Sequence, residues 1–146
     1  MPVQMPPRTI APTFEGTVRW LRIWYVILFV AVIAYVTVAE KSQHQLIDMN
    51  RTFLAGLGVV AAIFAGIALY VQVKMIRPVL ETLQSKPEDA ASLTSWRYRS
   101  LATYMMAEAI VLFGLCLRFL GATRAMCLPF YSVGIVLMLF LFPRRP

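Results

Sequence analysis

The carboxyl group of Glu108 stands near the middle of an apolar run that is long enough to cross a bilayer. The run, Leu101–Leu117, reads Leu-Ala-Thr-Tyr-Met-Met-Ala-Glu-Ala-Ile-Val-Leu-Phe-Gly-Leu-Cys-Leu. An ionisable side chain at that depth is costly, and intramembrane acids commonly mark ion or proton sites. Glu108 is therefore a candidate for proton or ion binding. The alternative, which stays open, is a protonated carboxyl that only hydrogen-bonds a neighbouring helix.

The surroundings of Glu108 favour a neutral carboxyl, which is compatible with both roles. No Lys or Arg falls at a matching depth in another apolar run. Arg118 is about 15 Å further along the same helix, and we expect its long side chain to extend outward to water. Without a cationic partner, desolvation favours the neutral carboxyl. Tyr131 and Ser132 lie at a similar depth in the last apolar run and are predicted hydrogen-bond neighbours.

The elements that position Glu108 are four apolar runs, over residues 23–39, 53–71, 100–118 and 125–142. In the 146-residue chain, 60% of the residues are hydrophobic and 14% are charged, against about 25% charged in ordinary soluble domains. That composition leaves too little polar surface for a soluble globule. The sequence predicts an all-α membrane protein with four transmembrane helices in a single membrane domain, residues 1–146. Residues 1–18, rich in proline, are predicted to be a flexible tail.

The basic residues predict the orientation of the four spans. The N-terminal tail, the connection between runs two and three, and the C-terminus together hold ten of the 14 Lys and Arg residues: Arg8, Arg19, Arg22, Lys74, Arg77, Lys86, Arg97, Arg99, Arg144 and Arg145. Basic loops face the cytoplasm, so both termini are predicted to be cytoplasmic. Aromatic residues that belong at a membrane interface gather at this same end: Trp20, Trp24, Tyr25, Tyr70, Trp96, Tyr98 and Tyr104.

The connection between runs two and three is predicted to be a helical hairpin that extends into the cytoplasm. Pro78 predicts a kink in the second helix. Ser85 is a predicted N-cap, with Pro87 in the first turn and Glu88 at the capping-box position. The third helix would then run over residues 86–120, about 50 Å, which exceeds the hydrocarbon thickness of about 30 Å.

Small residues predict where helices approach one another. Gly58, Ala62 and Gly66 recur at intervals of four on one face of the second helix. In lipid, such spacing favours close helix contact, and we expect this face to receive helix three. Gly114 is the corresponding small residue within helix three.

Several motifs in this region resemble the rotor-ring c subunit of rotary ATP synthases. Pro87-Glu88 precedes Ala107-Glu108-Ala109 by about 20 residues, and Phe113-Gly114-Leu115 follows. The family's second helix is similar, with a cytoplasmic Gln-Pro-Glu loop before an Ala-Glu-Ala…Tyr-Gly-Leu pattern. The resemblance covers residues 56–120 and implies that Glu108 carries a translocated proton or sodium ion. Helices one and four have no counterpart in the single-hairpin form. As a whole, the chain looks like small four-helix bacterial membrane proteins.

The chain contains few residues that could support metal binding, disulfide formation or catalysis. The single histidine, His44, is in a predicted loop and is expected to be solvated; no metal site and no cofactor are predicted. Cys116 and Cys127 flank a predicted turn, where a disulfide and two packed thiols are both open. The basic residues flank the apolar runs, so no nucleic acid partner is expected. An enzyme is not predicted, because acid–base catalysis lacks its usual residues.

Two functions remain, an accessory role and proton binding, and the accessory role is favoured. The chain is predicted to be a non-catalytic accessory or assembly subunit of a larger complex in the inner or plasma membrane, with the lipid bilayer and other membrane subunits, or copies of itself, as partners. The alternative is a proton-binding proteolipid that acts through Glu108. A small transporter is disfavoured, because the two halves show no internal similarity.

Overall fold

A computed structural model describes residues 13–41 and 50–142 of the chain. Within these ranges there are four helices and no strand: α1 (Phe14–Lys41), α2 (Arg51–Ser85), α3 (Ala90–Phe119) and α4 (Arg124–Phe140). The first three are long and apolar enough to cross a membrane, whereas α4 is apolar but shorter, with 17 residues. The predicted all-α fold is confirmed, and the three long helices are compatible with a multi-pass membrane protein.

Helix α3 lies at the centre and contacts each of the other three helices. Its fully buried side chains are spread along its whole length and include Leu93, Tyr104, Ile110 and Leu117. Because hydrocarbon is as apolar as these side chains, close van der Waals contact is the main gain from burying them. Contacts with three helices therefore fix the position of α3 and the directions of its side chains.

Helix α2 contains a π-helical segment, Val71–Ile76, immediately before Pro78. Proline has no backbone N–H, and its ring crowds the carbonyl one turn earlier. A wider turn relieves that conflict, and the Arg77 N–H bonds to the Gln72 carbonyl five residues back. The helix then continues to Ser85. Across the hairpin, Arg99 Nη1 donates to the Met75 carbonyl over 3.0 Å and ties α3 to this segment.

The predicted start of helix three at residue 86 is wrong. Ser85 ends α2, and its hydroxyl donates to the Thr82 carbonyl. Lys86 is not helical, with φ −137° and ψ 78°, because a residue before proline avoids the helical conformation. The N-cap of α3 is Asp89, whose carboxylate accepts from the Ser92 N–H over 3.1 Å. Hydrogen bonds from Ser92 hold the pKa of Asp89 below its usual range.

Aromatic and basic residues from three helices meet at the hairpin end of the bundle. The Arg97 guanidinium lies 3.7 Å from the centre of the Trp20 ring, and Phe14 stacks on Trp96. The Tyr25 ring meets both Tyr104 and Phe142 edge-on, and its hydroxyl donates to the Met138 carbonyl over 3.2 Å. These contacts join α1, α3 and α4.

Some predictions fall on residues outside the described ranges. Residues 1–12 of the predicted tail, His44 and residues 143–146 are among them. The predicted tail extends too far, however, because residues 14–18 already belong to α1.

Candidate functional site

Glu108 lies on α3 between fully buried neighbours but is itself only half-buried. Ala107, Ile110 and Val111 have no exposed surface. A helix turns by about 100° per residue, so Glu108 projects from a different side of α3, and its polar side-chain neighbour is Tyr35 of α1. The carboxyl therefore has a polar neighbour within the chain and also an open side.

The two predicted neighbours of Glu108 take other positions. Tyr131 is buried, but its hydroxyl has no hydrogen-bond partner among the described residues. Its ring lies against Gly114 instead. Ser132 is exposed. The prediction matched residues by depth alone, whereas a helix turns by about 100° per residue, so the rotation of each helix decides which side chains meet.

The face of α4 that meets α3 carries a glycine that the sequence analysis missed. A Cβ at Gly134 would collide with the side chain of Val111 and lie 3.0 Å from the Ala107 carbonyl oxygen. A Cβ at Gly114 would lie 2.6 Å from the Tyr131 ring. Both glycines allow backbone and ring to approach closely, so Gly114 does lie at a helix–helix contact. Gly134 is isolated in its run and has no repeating small-residue pattern that could have revealed it.

The small residues of α2 do not face α3. Cβ atoms built at Gly58 and Gly66 meet nothing within 4 Å, and Ala62 and Gly66 are exposed. The prediction that they receive helix three is wrong. The side of α2 that contacts the bundle centres on the buried Ala61 and Ala68 instead. We call Gly58, Ala62 and Gly66, with the exposed Ala55 one turn earlier, the α2 stripe.

A charged cluster at the end opposite the hairpin was also missed. Glu40 at the end of α1 meets Arg124 Nε at 3.1 Å through Oε2 and Arg118 Nε at 4.0 Å through Oε1. Arg118 Nη1 also donates to the Ala122 carbonyl over 3.0 Å. The Arg118 side chain is 16% exposed and the Glu40 side chain 23%. Arg118 therefore turns inward to Glu40, contrary to the expected outward course. Opposite charges at matching ends of two apolar runs were the available signal.

Cys116 and Cys127 do not form the disulfide that the sequence left open. Cys116 is exposed and Cys127 is buried, and both are free thiols. Within residues 13–41 and 50–142, no group of three or more His, Cys, Asp or Glu residues could hold a metal ion.

No protein family, no curated protein and no solved structure matches this chain at a significant level. The resemblance to the rotor-ring c subunit therefore stays a prediction, based on the motifs around Glu108.

Proposed function

We propose that this chain is a non-catalytic accessory or assembly subunit that docks a larger membrane complex through the α2 stripe. It would cross the inner or plasma membrane four times, with both termini and the hairpin tip in the cytoplasm. The single observation that carries the proposal is the outward direction of the stripe.

The small share of buried residues in α2, compared with that in α3, supports this role. In the most apolar 18-residue window of α2 only 11% of the residues are buried, against 44% in that of α3. A glycine within a helix costs about 1 kcal/mol relative to alanine. Facing lipid alone, Gly58 and Gly66 bring no gain that offsets this cost. Facing another helix, they allow close backbone approach and the packing that holds membrane helices together.

The proposed orientation follows the charge distribution. Ten of the 14 Lys and Arg residues belong to the N-terminal tail, the connection between the second and third apolar runs, and the C-terminus. The positive-inside rule assigns these three segments to the cytoplasm. For α4 to cross, its 17 residues must span about 25 Å at 1.5 Å per residue. A slightly thinned bilayer accommodates that length at modest cost.

The test is co-purification of the tagged full-length chain from its native membranes in a mild detergent. We expect larger partners to co-purify, and we expect the double variant Gly58→Ile/Gly66→Ile to lose them while staying folded, because both positions are open. Gly56→Ile is the matched control, since Gly56 is also open but lies on another side of α2. Recovery of the wild-type chain only as a free monomer would refute the proposal. Equal loss in the control would refute the role of the stripe.

Proton binding at Glu108 is the second candidate. The observation that favours it is the half-buried carboxyl near the Tyr35 side chain of α1. A carbodiimide reacts with protonated carboxyls in apolar surroundings, so we expect the wild-type chain to be labelled and Glu108→Gln to be unlabelled. The ion-paired Glu40 serves as an internal control. Absence of label at Glu108 would eliminate this candidate.

A further inference from the structure

A cavity of about 200 Å³ lies at the base of the hairpin. It is enclosed by the π segment of α2 and the turn after it, by the first half of α3 and by the end of α4. Its apolar walls are formed by Ile76, Leu80, Phe140, Leu141 and Phe142, and its polar groups by Gln72, Arg77, Ser100, Tyr104 and Trp96. The cavity is thus mostly apolar, with a few polar groups converging on it, which is the usual composition of a ligand site.

The polar groups of this cavity differ in how far they are buried and in whether they have a partner. Ser100 and Tyr104 are both buried, one turn apart on α3. Arg77 is exposed at the opening, and no carboxylate of the described residues lies within ion-pairing distance of it. By contrast, Arg99 is bonded to the Met75 carbonyl, and Arg118 and Arg124 meet Glu40. Arg77 therefore presents a free guanidinium, whose planar fork fits phosphate and carboxylate oxygens.

The aromatic contacts around the cavity indicate its depth. Phe142, in its wall, meets Tyr25 with ring centres 5.2 Å apart. Trp96, also in its wall, stacks on Phe14 one helix away. Tryptophan and tyrosine concentrate where a membrane meets water. The opening beside Arg77 is therefore at the level of lipid headgroups, while the buried Ile76 and the half-buried Leu80 form part of the cavity wall.

The π segment and the residue that follows it contribute three of the residues that line the cavity. An added residue per turn displaces the following side chains from the positions that an α-helix would give them, and such segments are frequent at functional sites. Gln72 and Ile76 both belong to the segment, and Arg77 closes it. The same widening that accommodates Pro78 thus brings an amide, an apolar side chain and a guanidinium to one opening.

We propose that this cavity binds the phosphate and glycerol region of an anionic phospholipid. Arg77 donates to the phosphate oxygens, and the Gln72 amide donates beside it. The glycerol and the first acyl carbons contact Ile76, Leu80 and Phe140. The volume is below the roughly 300–1,000 Å³ of sites that enclose a whole small molecule, so the acyl chains stay in the bilayer. This inference goes beyond the docking role, since the cavity is formed by residues that are separate from the α2 stripe and from Glu108.

The test is native mass spectrometry of the detergent-purified full-length chain, titrated with phosphatidylglycerol, with phosphatidylcholine or with inorganic phosphate. We expect phosphatidylglycerol to bind most tightly. Arg77→Gln should weaken it about tenfold, as for the loss of a charge-assisted contact. Lys74→Gln is the matched control, because Lys74 is an exposed cation of the same π segment that does not line the cavity. It should weaken binding no more than about threefold, the scale of general attraction to a basic surface.

A second variant tests the cavity without changing its charge. Gln72→Leu should weaken phosphatidylglycerol about threefold, as for one lost neutral hydrogen bond. Equal losses for Arg77→Gln and Lys74→Gln would show diffuse attraction to basic residues and would overturn the site. Equal affinity for phosphatidylcholine, or displacement of the lipid by inorganic phosphate, would overturn the choice of ligand. Unchanged affinity in both Arg77→Gln and Gln72→Leu would overturn the proposal as a whole.

Discussion

Helices α2 and α3 both carry glycines in long apolar sequences, but the two sets of glycines have opposite surroundings. Gly114 of α3 lies under the Tyr131 ring, and Gly134 of α4 lies on the backbone of α3. Gly58 and Gly66 of α2 meet nothing within 4 Å. The periodic glycines are thus the open ones, and the isolated glycines are the ones in close contact.

This difference teaches that small-residue spacing reports a capacity for close approach and not the identity of the partner. The spacing of the α2 stripe is the stronger pattern in the sequence. No helix in the described part of the chain packs closely on Gly58 and Gly66 of the stripe, which is why we propose another subunit as its partner. Gly134 makes its close contact at one position only. A single close contact requires no repeating pattern of small residues in the sequence.

The largest change in unfolding free energy is expected at Gly134, the glycine in closest contact. Gly134→Val would force the new side chain against Val111 and the Ala107 carbonyl, and the backbone cannot withdraw from it. Overpacking of this kind costs about 3 kcal/mol. Gly56→Val, at an open position, should change the unfolding free energy by less than about 0.5 kcal/mol. Unfolding in mixed micelles with increasing dodecyl sulfate measures both. Similar values for the two variants would remove the distinction between the two sets of glycines.

A smaller loss of unfolding free energy is expected at the charged cluster of Glu40, Arg118 and Arg124, which fixes the far end of α3. Arg118→Met keeps the length of the side chain but leaves Glu40 with only the exposed Arg124, and it removes the donor to the Ala122 carbonyl. Charge-assisted hydrogen bonds contribute about 1.5–3 kcal/mol, so we expect a loss of about 2 kcal/mol in the same assay. Arg51→Met, at an exposed arginine of α2, should have little effect. An Arg118→Met variant as stable as the wild-type chain would mean that the charged cluster does not hold the far end of α3.

The smallest effect is expected at the first turn of α3. Asp89→Ala removes the N-cap and should speed hydrogen exchange of residues 90–94, whereas Asp89→Asn should preserve the slower exchange, since asparagine caps equally well. Because hydrogen bonding lowers the pKa of Asp89 in the folded chain, the ionised cap stabilises the helix above the ordinary aspartate pKa. That contribution is lost as the pH falls through the lowered value. Protection of residues 90–94, taken relative to the intrinsic exchange rate at each pH, that does not fall with acid in the wild-type chain would contradict the role of this carboxylate.

The sequence predicted the helices well and their contacts poorly. The apolar runs 53–71 and 100–118 lie within α2 and α3, and the run 125–142 nearly coincides with α4. The cap was misplaced by four residues because Ser85 and Asp89 are both good caps, and the backbone restriction before Pro87 decided between them. The site was predicted only at Glu108 itself. Its neighbour Tyr35 lies 73 positions earlier in the sequence, and no local pattern indicates such a contact.

By itself, the sequence predicted an all-helical chain with four apolar runs, and the structure bears out the helices, three of which are long and apolar enough to cross a membrane. The sequence also showed one acid near the middle of the third run. Apolar run length and composition are local properties, and a bilayer requires backbone groups to be satisfied within each helix. Only the tertiary structure decided which face of each helix is covered. That choice turned Arg118 inward to Glu40 and the α2 stripe outward, and it placed the half-buried Glu108 beside Tyr35. The physical reason is that lipid and protein interior are equally apolar, so polarity along the sequence cannot distinguish a face against lipid from one against another helix.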